Sequence, residues 1–258
     1  MNFMNLFAAR IASTATAVVL MGAVLGAPTA ALAAGGGYDT LPARVDLDDR
    51  KSLQRGAKTF VNYCLSCHSA SFMRYNRMGE DLGLTEEQVT ENLMFATDKV
   101  GNVMDVAFDP EDAQAWFGVL PPDLSVIARA RGEDWLYTYL MTFYKDESRP
   151  FGVNNLMFPA VGMPHVFEAL QGVQRLKPLA EGASPPSNPL KALELETPGS
   201  RSQGQFSKDM RDLVAFLVYM GEPAKLERYD LGMKVIVFLL FFLWVARALK
   251  KEYWKDVH

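Results

Sequence analysis

The chain has 258 residues, 49% of them hydrophobic and 22% charged, enough to bury a sizeable core in one domain with accessory segments. Its formal net charge of −4 argues against a nucleic-acid partner, and its two cysteines cannot supply a disulfide framework.

Residues 1–34 read as a secretory signal: Arg10, then the apolar stretch Ile11 to Gly26, then the small residues Ala31-Leu32-Ala33-Ala34. An uncleaved anchor is the alternative reading. Cleavage would remove the one charge in that stretch and leave a formal charge of −5. Residues 35–224 then form an exported domain. Gly35 to Leu47, with three glycines and Pro42, reads as an extended arm. Asp48 or Asp49 can cap a helix in which Leu53, Ala57, Phe60, Val61 and Cys64 make an apolar stripe. Gly56 within it predicts a close helix crossing.

That helix runs into Cys64-Leu65-Ser66-Cys67-His68. A single C-x-x-C-H run is the attachment pattern of one c-type haem: two thiols on one turn can each form a thioether link, and the next residue offers an imidazole to the iron. A thioredoxin-like couple would want a βαβ context, and a zinc site would need His165 and His258 as further ligands.

Ser69 to Gly83 reads as irregular, and Thr85 with Gln88 makes a capping box for a short helix reaching about Thr97. Asp98 to Phe108 is a small hairpin or a loop; Asp109 caps Pro110 at the start of a helix that Gly118 can end. Pro121 and Pro122 impose a rigid turn. Helices over Ser125 to Arg131 and Glu133 to Phe143 follow, the second with Trp135, Leu136, Tyr139, Leu140 and Phe143 inward. Tyr144 to Pro164 is a long irregular loop, a length that usually signals function. Gln171 to Gln205, rich in Pro, Gly and Ser, reads as a surface excursion, and Ser207 as the cap of a last domain helix that ends at Gly221-Glu222-Pro223. The fold class is mostly α with little sheet.

Residues 225–249 comprise a linker and a transmembrane anchor. Leu231 to Leu249 would span about 28 Å as a helix, with Lys234 and Arg247 snorkelling. Arg247, Lys250, Lys251 and Lys255 place the tail, residues 250–258, on the cytoplasmic side and the domain in the periplasm.

A haem iron bound by His68 has a sixth position, which methionine would fill with a raised potential. Met163, framed by Pro and Gly, is the preferred candidate; His165 and the other methionines stay open. Arg131 can pair with a haem propionate.

The ordered set of Cys64-x-x-Cys67-His68, Pro121-Pro122-Asp123-Leu124-Ser125 with Arg129-Ala130-Arg131, Ala160-Val161-Gly162-Met163, Asp212 to Leu217 with Glu222-Pro223, and a C-terminal anchor resembles the cytochrome c1 family. The resemblance covers about residues 38–255 and implies a cytochrome c-like helical domain with a single C-terminal transmembrane helix. It implies one covalent haem c on Cys64 and Cys67, with His68 and Met163 as axial ligands. Arg131 would meet a propionate, Pro121 and Pro122 would pack beside the haem, and Trp135 takes the place of an aromatic residue near a propionate. Some relatives carry a disulfide near the distal loop, which this chain has no cysteine to make, so packing must hold the loop. The implied setting is the bacterial inner membrane, in a dimeric complex with cytochrome b. The implied role is to take an electron from a Rieske iron–sulfur protein and pass it to a cytochrome c acceptor, with no quinol oxidation site of its own. Asp105, Asp109, Glu111 and Asp112 could steer a basic acceptor. Alternatives are a tethered monohaem cytochrome serving a terminal oxidase and a ligand-binding haem sensor.

Overall fold

The computed structural model describes residues 37–106, 108–179 and 184–256; the expected signal over 1–34 lies outside them. Helix α1, Arg50–Tyr63, starts where the Asp49 side chain accepts from the Ser52 amide, and it buries Leu53, Gly56, Ala57, Phe60 and Val61 on one stripe. Strand β1, Ala70–Arg74, leads directly into α2, Tyr75–Leu82. Both fall in the stretch expected to be irregular. The correction has a physical cause: Tyr75, Met78 and Leu82 make one short inward stripe between charged neighbours, and Gly83 at φ 67° closes the helix. The Thr85–Gln88 capping box starts α3, Glu86–Leu93, which stops four residues short of Thr97. Strand β2, Val103–Met104, pairs antiparallel with β1, so the 98–108 stretch is half of a small sheet.

Helix α4, Pro110–Phe117, has the expected Asp109 cap and Gly118 end. Helices α5, Ile127–Arg131, and α6, Glu133–Met141, then wrap one side of the core. Strands β3, Phe143–Lys145, and β4, Val153–Asn155, form an antiparallel hairpin inside the long loop. A short α7, Glu168–Gln171, leads into β5, Gly172–Leu176. A 3-10 turn over Pro189–Ala192 precedes β6, Leu193–Pro198, and β6 pairs antiparallel with β5. The expected excursion over 171–205 therefore carries a two-stranded sheet at the surface, whose alternation over Leu193, Leu195 and Thr197 is too short to stand out among prolines and glycines.

Helix α8, Gln203–Gly221, is the centre of the domain: every residue from Asp212 to Gly221 is buried, and it packs against α1, α5 and α6. Its cap is Ser202, not Ser207, because Ser202 and Gln205 satisfy each other's backbone amides as a capping box. Ser207 sits inside the helix, where its hydroxyl meets the Tyr137 hydroxyl at 2.7 Å. At the α1–α8 crossing a Cβ on Gly56 would lie 2.7 Å from the Phe216 Cβ and overlap the Asp212 carbonyl, so the glycine permits the approach as expected. Asp212 ties the same crossing through Ser52 Oγ at 2.5 Å, Arg55 Nε at 2.6 Å and Lys208 Nζ at 3.3 Å. Burial alone would raise this carboxyl; the three donors outweigh that and hold it below its ordinary range.

Helix α9, Lys225–Tyr253, has 29 residues and none of them is buried. It is about 44 Å long at 1.5 Å per residue, and its apolar middle is long enough to cross a membrane.

Candidate functional site

The end of α1 delivers the cysteine motif. The Cys64 amide still donates to Phe60 O at 2.8 Å, after which the Cys67 and His68 amides both turn back to Cys64 O, at 3.0 and 2.8 Å. One tight turn thus gathers Cys64, Cys67 and His68. His68 Nδ1 lies 2.8 Å from the carbonyl of Pro122. A carbonyl only accepts, so Nδ1 carries the proton and Nε2 keeps its lone pair. Burial lowers the imidazole pKa and opposes its protonation, although the Pro122 bond works the other way. The result is a neutral ring with a free nitrogen, the form that binds a metal.

Pro122 can hold His68 because its own segment is clamped. The Asp123 carboxylate accepts from the Ser71 amide at 2.9 Å and the Ser125 amide at 2.7 Å, and the Phe72 amide donates to Ser125 Oγ at 3.1 Å. The Leu124 amide reaches Ser69 O at 2.8 Å, so the proline turn is laced to the start of β1. Asp123 and Ser125 carried the family resemblance, but their part in fixing the His68 support is legible only in three dimensions.

These residues face an apolar cavity of about 460 Å³. Its lining includes Cys64, Cys67, His68, Pro121, Pro122, Arg131 and Met163, so the structure brings every expected site residue to one space. The volume lies within the roughly 300–1,000 Å³ of cofactor and small-molecule sites. Val119, Leu120, Phe158, Leu213 and Leu217 add apolar wall, with Leu213 and Leu217 reaching in from α8. The donor set, two free thiols, an imidazole nitrogen, a thioether and one guanidinium around an apolar slot, fits a haem c in kind and order. A thiol-exchange centre fits poorly. Burial pushes the Cys64 thiol up to about 12, the opposite of what a reactive thiolate needs. Among the described residues no cluster of three His, Cys, Asp or Glu could hold a metal ion.

The two rivals for the sixth position part company. Met163 lines the cavity and its Sδ accepts from the Tyr139 hydroxyl at 3.4 Å. Burial raises that phenol's pKa above its ordinary value, so it remains a donor. His165 turns away: its ring stacks on Phe143 with centroids 4.8 Å apart and planes 5° apart, and it borders a separate polar cavity. Burial lowers its pKa to about 4.

Hydrogen bonds as well as packing hold the distal loop. Asn155 Nδ2 donates to Tyr139 O at 2.8 Å, while its Oδ1 accepts from the amides of Met157 at 2.9 Å and Phe158 at 3.2 Å. Asn154 Oδ1 accepts from the Ala160 amide at 2.9 Å, and Arg149 Nη2 donates to Ala160 O at 3.1 Å. Ala160 itself has φ 62°, a left-handed conformation that these two bonds hold from either side of the residue. Arg131 lies at the cavity edge with its guanidinium 5.0 Å from the Trp135 ring and 5.9 Å from the Phe158 ring. Trp135 is stacked in turn on Tyr139 at 5.2 Å, so it forms a platform for the arginine.

The sequence matches the model of the Cytochrome C1 family over residues 44–257. It is 48% identical over 243 residues to cytochrome c1 of Allochromatium vinosum, covering 93% of this chain and 99% of that one. A protein of Nitrosomonas europaea named ammonia monooxygenase gamma subunit is 46% identical over 239 residues, covering 93% of this chain and 97% of its own. Among solved structures, a chain of a hyperthermophilic respiratory Complex III aligns over 90% of this chain and 85% of its own, with a TM-score of 0.38 and 18% identity.

Proposed function

This chain belongs to the cytochrome c1 family, and on that premise we propose that it is the electron-transfer subunit of a cytochrome bc1 complex. In this reading it takes one electron from a Rieske iron–sulfur protein and passes it to a cytochrome c acceptor. The observation that carries the reading is the single apolar cavity on which both cysteines, both axial candidates and Arg131 converge.

A haem c bound there would supply one-electron iron chemistry. Cys64 and Cys67 would tether one such group through thioether bonds. His68, with its proton fixed on Nδ1 by Pro122, would offer Nε2 on one face, and Met163 its sulfur on the other. Held by these two residues, such a group would be closed to exogenous ligands, and little of the protein would have to move when its charge changed. Arg131, planar and permanently charged, would balance a propionate at the cavity edge. Pro121 and Pro122 would stiffen the wall beside it.

Helix α9 serves as the single-pass anchor, and we read the domain as periplasmic with the tail in the cytoplasm, as the terminal cations suggest. Cytochrome b would then be the membrane partner within a dimeric complex. The acidic residues Asp109, Glu111 and Asp112 are exposed at the start of α4, where they could steer a basic acceptor.

The similarity to a protein named as an ammonia monooxygenase subunit gives a second reading, in which the same relay serves a monooxygenase. Gentle detergent purification from the native host followed by an optical redox titration separates the two. Co-purifying b haems together with one haem c per chain are expected, and a c-type preparation lacking b haems would overturn the bc1 assignment.

A further inference from the structure

Resting on the reading of Met163 as the sixth ligand, we propose that Tyr139 is a positioning residue that sets the haem's reduction potential through a hydrogen bond to the Met163 sulfur. The phenol oxygen lies 3.4 Å from Met163 Sδ, and the ring is part of the cavity lining. A thioether sulfur has two lone pairs, so one can face a metal while the other accepts from the phenol. That bond draws electron density from the sulfur and points the positive end of the O–H dipole at the site. Both effects favour the reduced state.

The geometry around Tyr139 suits this role better than simple core filling. The ring is fixed on two sides, by Trp135 stacked at 5.2 Å and by Phe143 edge-on at 5.1 Å, so the hydroxyl has little freedom to seek another acceptor. Phenylalanine would fill the same space, yet the chain keeps a hydroxyl in an apolar cavity on a weak acceptor. The residue also grips the distal loop at a second point, since its carbonyl accepts from Asn155 Nδ2 at 2.8 Å. One residue of α6 thus holds both the sulfur and the segment that carries it.

The test is an optical redox titration of the detergent-purified complex carrying Tyr139→Phe, with Tyr144→Phe, which removes a phenol hydroxyl outside the cavity, as the control. Tyr139→Phe should stay low-spin and inert to carbon monoxide, with the thioether-to-iron charge-transfer band retained. Its reduced-to-oxidised ratio at fixed solution potential should fall by about threefold or more, tenfold being about 59 mV for one electron. Tyr144→Phe should leave that ratio unchanged. In the unmodified protein, exchange into D2O should shift the iron–thioether vibration, an arm that needs no variant. An unchanged ratio in Tyr139→Phe, an equal shift in Tyr144→Phe, or no isotope shift overturns the proposal while leaving Met163 as ligand. Carbon monoxide uptake by the reduced wild type would overturn both.

Discussion

His68 and Met163 face one cavity from walls built in different ways. The His68 wall grows from the crossing of α1 and α8, where Gly56 lets the backbones touch, Phe60 meets Phe216 at 5.5 Å, and Asp212 is tied from both helices. The Met163 wall hangs from a loop held by two asparagines, one arginine and one tyrosine hydroxyl. Motion on the first side must disturb the global core, whereas the second can open locally at lower free energy. The protein is therefore rigid where the haem would be tethered and adjustable where its potential would be tuned.

The strongest way to break this contrast is Gly56→Val. The added side chain would force α1 off α8, at a cost of about 3 kcal/mol or more, and should abolish accumulation of haem-bearing protein on both criteria, heme stain and membrane yield. Met163→Leu should do the reverse. The fold should persist by thermal melting while the reduced protein gains carbon monoxide binding, because only the distal wall is changed.

Asn155→Leu sharpens the comparison. Asn155 is buried, and its loss strands the Met157 amide and takes one of two donors from the Tyr139 carbonyl, costing about 2 kcal/mol. That cost should appear as faster carbon monoxide access and as hydrogen exchange in residues 153–163, with α1 still protected.

Asp212→Asn probes the other wall through pH. Folding holds the Asp212 carboxyl below its ordinary value of 3.8, so on acidification the unfolded chain takes up the proton first. The carboxylate's contribution, about 2 kcal/mol, is whole above that value and fades as pH falls through the folded-state value. The gap in melting temperature between wild type and Asp212→Asn should accordingly be widest near neutrality and narrow as pH falls below the ordinary carboxyl value of 3.8. Smallest of all, Arg131→Gln removes the contact with Trp135 and should cost under about 1 kcal/mol, while shifting the potential by loss of a positive charge at the cavity edge.

The same contrast explains what was legible in the sequence. The His68 wall is written in local code: an aspartate cap, a stripe at three- and four-residue spacing, a glycine at the crossing and the contiguous cysteine motif. Each of these acts within a few residues of itself. The Met163 wall depends on partners far apart along the chain, such as Tyr139 with Met163 and Asn155 with Tyr139, which no periodicity announces. Met163 stood out only by its proline and glycine frame, and its separation from His165 needed the Phe143 stack to be seen. The misread stretches have a similar origin. Strands β1 and β2 are short and pair across 30 residues, and the strands of the 171–205 region hide among turn formers. Ser207 was a plausible cap, but Ser202 won because Gln205 answers it.

The central claim is that His68 and Met163 close both faces of one haem, leaving room for an electron and nothing else. The carbon monoxide difference spectrum of the reduced, detergent-extracted native protein tests this most directly. The account predicts a low-spin c-type spectrum that carbon monoxide leaves unchanged; rapid uptake of the gas at the c haem would contradict it.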